Sequence, residues 1–227
     1  MLTLADPLLL DIPLAGVDEP FVDLAGFLSC WQVDLSRSQI SSRSRHFLKA
    51  RRAVAERLQH AAGLLPNGLR LYIKEAYRPL ARQRRSFDEH LARLRALKPD
   101  LDDIARFQQA SLYVAPPEVA PHPTGAAVDV TLMDPAGYEL DLGCPFNADS
   151  EESDGACYTQ HPHLSETARA NRAILIQTMQ AAGFVNYPSE WWHWSYGDRY
   201  WAAVTQAPQA LYRAVEENEL DTMETTQ

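Results

Sequence analysis

Two short segments hold residues that a fold alone would not call for: Pro121-His122-Pro123-Thr124-Gly125-Ala126-Ala127-Val128-Asp129 and Ser189-Glu190-Trp191-Trp192-His193. In the first, Asp129 follows His122 by seven residues and stands between Val128 and Val130. A carboxylate among β-branched residues is expensive to bury unless it is paired, hydrogen-bonded or bound to a metal. In the second, Glu190 and His193 stand three apart among Trp191, Trp192 and Trp194. Such surroundings exclude water and strengthen electrostatic interactions. Two imidazoles and one carboxylate suit Zn²⁺, and three protein ligands leave a fourth position open to water. The expected chemistry is amide hydrolysis, with His122, Asp129 and His193 on one zinc ion per chain and Glu190 left over as general base. Each segment alone has a plainer reading. A histidine beside prolines is more often a packing or surface residue, Asp129 can be satisfied by backbone amides, and the three tryptophans are core or pocket wall by default. Together, with matching ligands and a spare base, the two segments favour the metal, although the same donors accept other divalent ions.

The elements that must position these residues are legible from periodicity. Up to about Ile40, Pro13, Pro20 and Gly26 break short apolar runs, predicting an extended N-terminal segment (1–40) packed on the domain. Phe47, Leu48, Val54, Leu58 and Ala61 form a stripe that predicts a helix from Ser44 to Ala62, with Gly63 as its stop. Leu69 to Ala76 alternates as a strand, and a second helix runs from Pro79 to about Leu97. Pro116, Pro117, Pro121 and Pro123 stiffen the approach to His122. Ala126 to Leu132 reads as a strand, turned by Asp134-Pro135-Ala136-Gly137 into Tyr138–Leu142 as a hairpin. Asn147 to Gly155 is an acidic surface loop. Ser165 caps a helix carrying Ala168, Ile174, Leu175, Ile176 and Met179, and Gly183 ends it. Phe184–Tyr187 and Trp191–Tyr196 are short strands, Pro208 to Glu217 a last helix, and 218–227 a loose tail. This order predicts an α+β fold, an antiparallel sheet flanked by helices.

Composition bounds the rest. A chain of 227 residues, 46% hydrophobic and 22% charged, is expected to fold as one domain spanning 1–227. Thirty acidic residues against 21 basic ones give a net charge of −9, which argues against a nucleic-acid binder. The basic clusters at Arg43, Arg45, Lys49, Arg51, Arg52 and Arg57 and at Arg78, Arg82, Arg84 and Arg85 read as solvated faces. No run is long enough to insert into a membrane. Met1 to Gly16 is a poor secretory signal, so the expected location is cytoplasmic, with the periplasm second. Cys30, Cys144 and Cys157 are odd in number and lack CxxC spacing, so reduced thiols are favoured over a Cys144–Cys157 bridge. His161-Pro162-His163 reads as a solvated loop, and neither a GxSxG motif nor an activated cysteine is present.

The two segments resemble the zinc D-alanyl-D-alanine dipeptidases, marked by SxHxxGxAxD and a later ExWH. Here these read Ala120 through Asp129 and Glu190-Trp191-Trp192-His193. The likeness extends to Ala76-Tyr77-Arg78-Pro79, to Leu140-Asp141-Leu142-Gly143 with Phe146, and to Asn171-Arg172 ahead of Gly183-Phe184, covering roughly Leu69 to Tyr196. It implies the zinc DD-peptidase fold, Arg78 aimed at the oxyanion of the tetrahedral intermediate, Asp141 holding the substrate's free amino group, and a small D-amino-acid dipeptide as substrate. Ala120, Pro123-Thr124 and Asn147 depart from the family pattern at the pocket rim. Two other readings stand beside it: a D,D-carboxypeptidase acting on longer peptidoglycan stem peptides, and a zinc-binding module without catalysis. The oligomeric state is left open.

Overall fold

The computed structural model describes residues 2–27, 31–37, 40–66 and 68–225. The strands are β1 (Phe21–Asp23), β2 (Trp31–Val33), β3 (Lys49–Arg51), β4 (Arg70–Glu75), β5 (Ala127–Met133), β6 (Val185–Asn186) and β7 (His193–Ser195). The helices are α1 (Leu8–Asp11), α2 (Leu24–Phe27), α3 (Arg52–Leu64), α4 (Leu80–Leu97), α5 (Asp103–Ala110), α6 (Glu166–Ala181), α7 (Arg199–Thr205) and α8 (Glu217–Thr225). Five strands form the main sheet in the order β2-β4-β5-β7-β6, and β1 and β3 form a separate ribbon. The fold is α+β, as the order of elements predicts. The main sheet is antiparallel except at its edge, where β2 runs parallel to β4.

Alternation on the strands separates the core from the site. Leu71 and Ile73 of β4 stand opposite Leu132 and Val130 of β5, and with Val128 they join Val54 and Leu58 of α3 and Leu175 and Met179 of α6 in one buried cluster. Because successive strand residues point to opposite faces, Asp129 is turned away from that cluster. It stands across from His193 on β7 and from Glu75 on β4. A register shift between Ile73 and Glu75 brings Glu75, rather than Lys74, opposite Asp129.

Several expectations need correction. The helix expected from Ser44 starts only at Arg52, because 49–51 pairs with β1 and the Arg51 amide donates to Gly125 O. Phe47 and Leu48 are buried in the main cluster from a turn, which a helical stripe mimics. Arg51 is no solvated cation: it is buried, its Nε donates to Thr124 O and its guanidinium lies 4.3 Å from the Phe21 ring centre. The N-terminal 40 residues are not merely extended, since they supply α1, α2, β1 and an edge strand of the main sheet. Residues 103–110 form a helix with an Asp102 cap that no expectation covered. The helix expected over Pro208–Glu217 is absent. The chain there bridges Ala210 to Leu14, and α8 begins where that helix was to end. The expected loose tail is instead helical to Thr225, with Leu220 buried against Tyr77 and Val215. Cys144 and Cys157 are free thiols, and Cys30 lies outside the described residues.

Candidate active site

His122, Asp129 and His193 arrive from three different local structures. His122 opens a one-turn 3-10 helix, His122–Thr124, closed by Gly125 in the left-handed region at φ 74°. A Cβ at Gly125 would collide with the Phe21 ring, so this position needs glycine twice over, for conformation and for space. Gly125→Ala is expected to cost about 1–2 kcal/mol from conformation alone, with the collision adding to it. The check is a lower denaturant midpoint. Asp129 and His193 are direct cross-strand partners, which fixes their separation through the sheet.

The three side chains converge. His122 Nε2 lies 3.4 Å from Asp129 Oδ2, and His193 Nδ1 lies 3.2 Å from Asp129 Oδ1. One donor atom from each falls within 4.8 Å of the others, and all three residues are buried. His122 Nδ1 sits 2.6 Å from Ala76 O. A carbonyl only accepts, so Nδ1 carries a proton, and Nε2, on the Asp129 side, is the nitrogen that a metal would take in place of a proton. Burial by itself would raise the Asp129 carboxyl, but the charge and hydrogen bonds of His122 and His193 outweigh it and hold the group well below the usual carboxylate range. An anionic carboxylate facing two imidazoles, buried and with convergent donors, fits a divalent cation.

Glu190 stands beside this cluster, with its Oε2 3.9 Å from His193 Nδ1 and 29% of its side chain exposed. Dehydration pushes its carboxyl up to about 7; His193 and Arg78 pull it down, and Asp129 pushes it further up. The turn that carries it is held by main-chain bonds: Glu190 N donates to Tyr187 O, and His193 N donates to Glu190 O. The Asn186 side-chain amide clamps the same turn, donating to Glu190 O and His193 O at 3.0 Å each.

Arg78 occupies the junction between β4 and α4, where Pro79 precedes the first helical turn. Its Nε and Nη2 donate to the two oxygens of Glu75 at 2.9 and 3.2 Å, and its Nη1 donates to Gln83 Oε1 at 3.0 Å. Burial would lower the guanidinium's pKa, but Glu75 outweighs it and Asp129 and Glu190 add to the rise, so Arg78 stays charged. Glu75 and Gln83 are almost fully buried, and sequence reasoning missed both. The one available signal was the acid–base spacing of Glu75 and Arg78, three apart on either side of Ala76-Tyr77.

These groups line a cavity of about 90 Å³, with Arg78, His122, Asp129, Glu190 and His193 in its walls together with Trp192, Tyr187 and Asn147. Trp191 and Trp194 share the buried core cluster with Trp192 but do not line this cavity. Asp141 is not brought to this cavity. It is exposed, its Oδ1 accepts from Gly143 N at 2.8 Å, and it borders a separate groove with Glu139 and Phe146. Asn147, one residue past Phe146, does line the cavity, in a left-handed conformation at φ 63°.

The family described as D-ala-D-ala dipeptidase, Peptidase_M15, matches residues 29–210. A D-alanyl-D-alanine dipeptidase of Synechocystis sp. is 29% identical over 217 residues, covering 85% of this chain and 88% of that protein. The D-alanyl-D-alanine dipeptidase of Escherichia coli is 35% identical over 127 residues, 56% of this chain and 55% of its own. Among solved structures, the LdcB LD-carboxypeptidase aligns over 86% of this chain and 76% of its own, at 20% identity and a TM-score of 0.47. The three convergent donors and Glu190 all fall inside the matched stretch, and the chain belongs to the D-Ala-D-Ala dipeptidase family of peptidases, M15.

Proposed function

We propose that this chain is a zinc dipeptidase that hydrolyses D-Ala-D-Ala or a closely similar dipeptide. The observation that carries the proposal is a buried two-histidine, one-carboxylate cluster sharing a small cavity with a carboxylate that belongs to no ligand set. A dication held by His122 Nε2, Asp129 and His193 Nδ1 would polarise the scissile carbonyl and acidify the attacking water. Glu190 takes the proton from that water and hands it to the leaving amine, a role suited to a carboxyl whose surroundings bring it toward neutrality. Arg78 presents fixed positive charge to the negative charge that develops as the carbonyl is attacked. Three of its five N–H donors hold Glu75 and Gln83, and two remain for that purpose. Trp192 and Tyr187 wall the cavity and limit water.

The test is a metal analysis of purified protein paired with a stereoisomer screen. D-Ala-D-Ala is expected to be cleaved, L-Ala-L-Ala to resist, and a chelator to abolish turnover that added zinc restores. A pentapeptide ending in D-Ala-D-Ala cleaved faster than the free dipeptide would reassign the chain to carboxypeptidase activity. Zinc-loaded protein that turns over no D-amino-acid peptide would leave a binding module.

A further inference from the structure

Arg172 of α6 is buried, and its guanidinium donates to four main-chain carbonyls. Nε donates to Leu142 O at 2.6 Å, Nη1 to Tyr158 O and Thr159 O at 2.7 and 3.3 Å, and Nη2 to Ala156 O. Three of the four carbonyls belong to segment 156–159, which is thereby pinned to the helix. That segment backs the turn that carries Glu190: the Trp191 amide donates to Cys157 O at 3.0 Å, and the Thr159 amide donates to Pro188 O at 2.9 Å. Thr159 carries the contact further, its hydroxyl donating to Asn186 Oδ1 at 2.6 Å. At the other end of the same amide, Glu190 O and His193 O each lie 3.0 Å away. Carbonyls only accept, so that end is the NH₂ group and both of its N–H bonds are used. With Oδ1 held by Thr159, the amide has one orientation.

The two clamped carbonyls belong to the base and to a candidate ligand, but the clamp weighs unequally on them. His193 lies on β7, a strand paired on both sides by β5 and β6, and Asp129 is its cross-strand partner. The ladder holds it with or without Asn186. Glu190 belongs to no strand, and among the described residues no hydrogen bond is made to its carboxylate. Where that carboxylate sits is therefore decided by the turn, and the turn is gripped from inside by Asn186 and from outside by the segment that Arg172 pins.

We propose that Asn186, oriented by Thr159, is a positioning residue that sets the Glu190 carboxylate at its working distance from the candidate metal site. The proposal rests on the peptidase reading above. Its test uses the zinc-loaded protein and D-Ala-D-Ala. Asn186→Ala removes the clamp, and Thr159→Val keeps the branched shape but removes the hydroxyl that orients the amide. The first is expected to lower kcat by up to about 100-fold and the second by about tenfold, because a small misplacement of a reacting group costs that much. KM and zinc content should stay unchanged, and Thr159→Ser, which keeps the hydroxyl, should recover the rate. In a Glu190→Gln background Asn186→Ala should cost little more, since residues that act as a unit do not lose rate independently. Amide exchange gives a readout without turnover: the His193 amide, bonded to Glu190 O, should exchange about fivefold faster in Asn186→Ala, as for loss of a hydrogen bond. Wild-type kcat in Asn186→Ala would overturn the proposal, as would an equal loss with and without Glu190, or a Thr159→Ser as slow as Thr159→Val. A wild type that cleaves no D-amino-acid peptide would bring down the peptidase reading and the positioning role with it, whereas turnover with independent losses brings down the positioning role alone.

Discussion

Glu190→Gln is expected to lower kcat by about 10²–10⁴-fold, the usual contribution of a positioned general base, while the protein keeps its full zinc content. The separation of the two effects follows from geometry. The proposed ligand cluster does not include Glu190, and the turn that carries Glu190 is held by its own main chain and by the Asn186 clamp rather than by its carboxylate. Glutamine therefore fits the same turn but cannot take a proton from water. The wild type should also show an acid limb in kcat/KM that the residual activity of the variant lacks. A general base works only when deprotonated, so activity falls as the pH drops through the titration of Glu190. Burial pushes that titration up to about 7 in the metal-free protein. A nearby dication favours the carboxylate, so the limb of the loaded enzyme lies below that value. Full activity in the variant would remove Glu190 from the mechanism, and loss of zinc along with activity would make it part of the metal site.

The proposed ligands were legible because their types contradict their surroundings. Asp129 between two valines has no place in a core, and the same alternation that buries Val128 and Val130 turns it to the opposite face beside His193. Glu75 and Gln83 were not legible because their role exists only once the β4–α4 junction is folded. Each looks like an ordinary polar residue until Arg78 is placed between them. Asp141 and Asn147 show the same limit from the other side. Five residues separate them, and the path of the loop, not its composition, decides that Asn147 reaches the cavity and Asp141 does not. The misplaced start of α3 has a simpler cause. Apolar spacing at Phe47 and Leu48 serves a buried turn as well as a helix, so periodicity could not distinguish them.

Arg78→Ala is expected to fail twice, in stability and in catalysis, and the two losses can be separated. Glu75 is 1% exposed and accepts four hydrogen bonds: from the Ser41 and Ser42 amides at 3.1 and 2.9 Å, and from Arg78 Nε and Nη2. Removing the guanidinium leaves a buried carboxylate with two neutral donors and no counter-charge, which costs about 3–5 kcal/mol. The denaturant midpoint should fall accordingly. Glu75→Ala added to Arg78→Ala should destabilise less than the sum of the two single changes, because the second substitution removes the charge that the first left unpaired. Catalysis is read on the fraction that stays folded and zinc-loaded. There kcat is expected to drop by about 10²–10³-fold, as for loss of a single donor to a developing oxyanion. Arg78→Lys sharpens the distinction. A lysine keeps a positive charge near Glu75 but cannot form the two-pronged contact and still direct N–H groups into the cavity. It should recover part of the stability and little of the rate. If folded, zinc-loaded Arg78→Ala turns over dipeptide at the wild-type rate, Arg78 is a strut for Glu75 and the Ser41–Ser42 loop, and the negative charge of the reaction must be met by the metal alone.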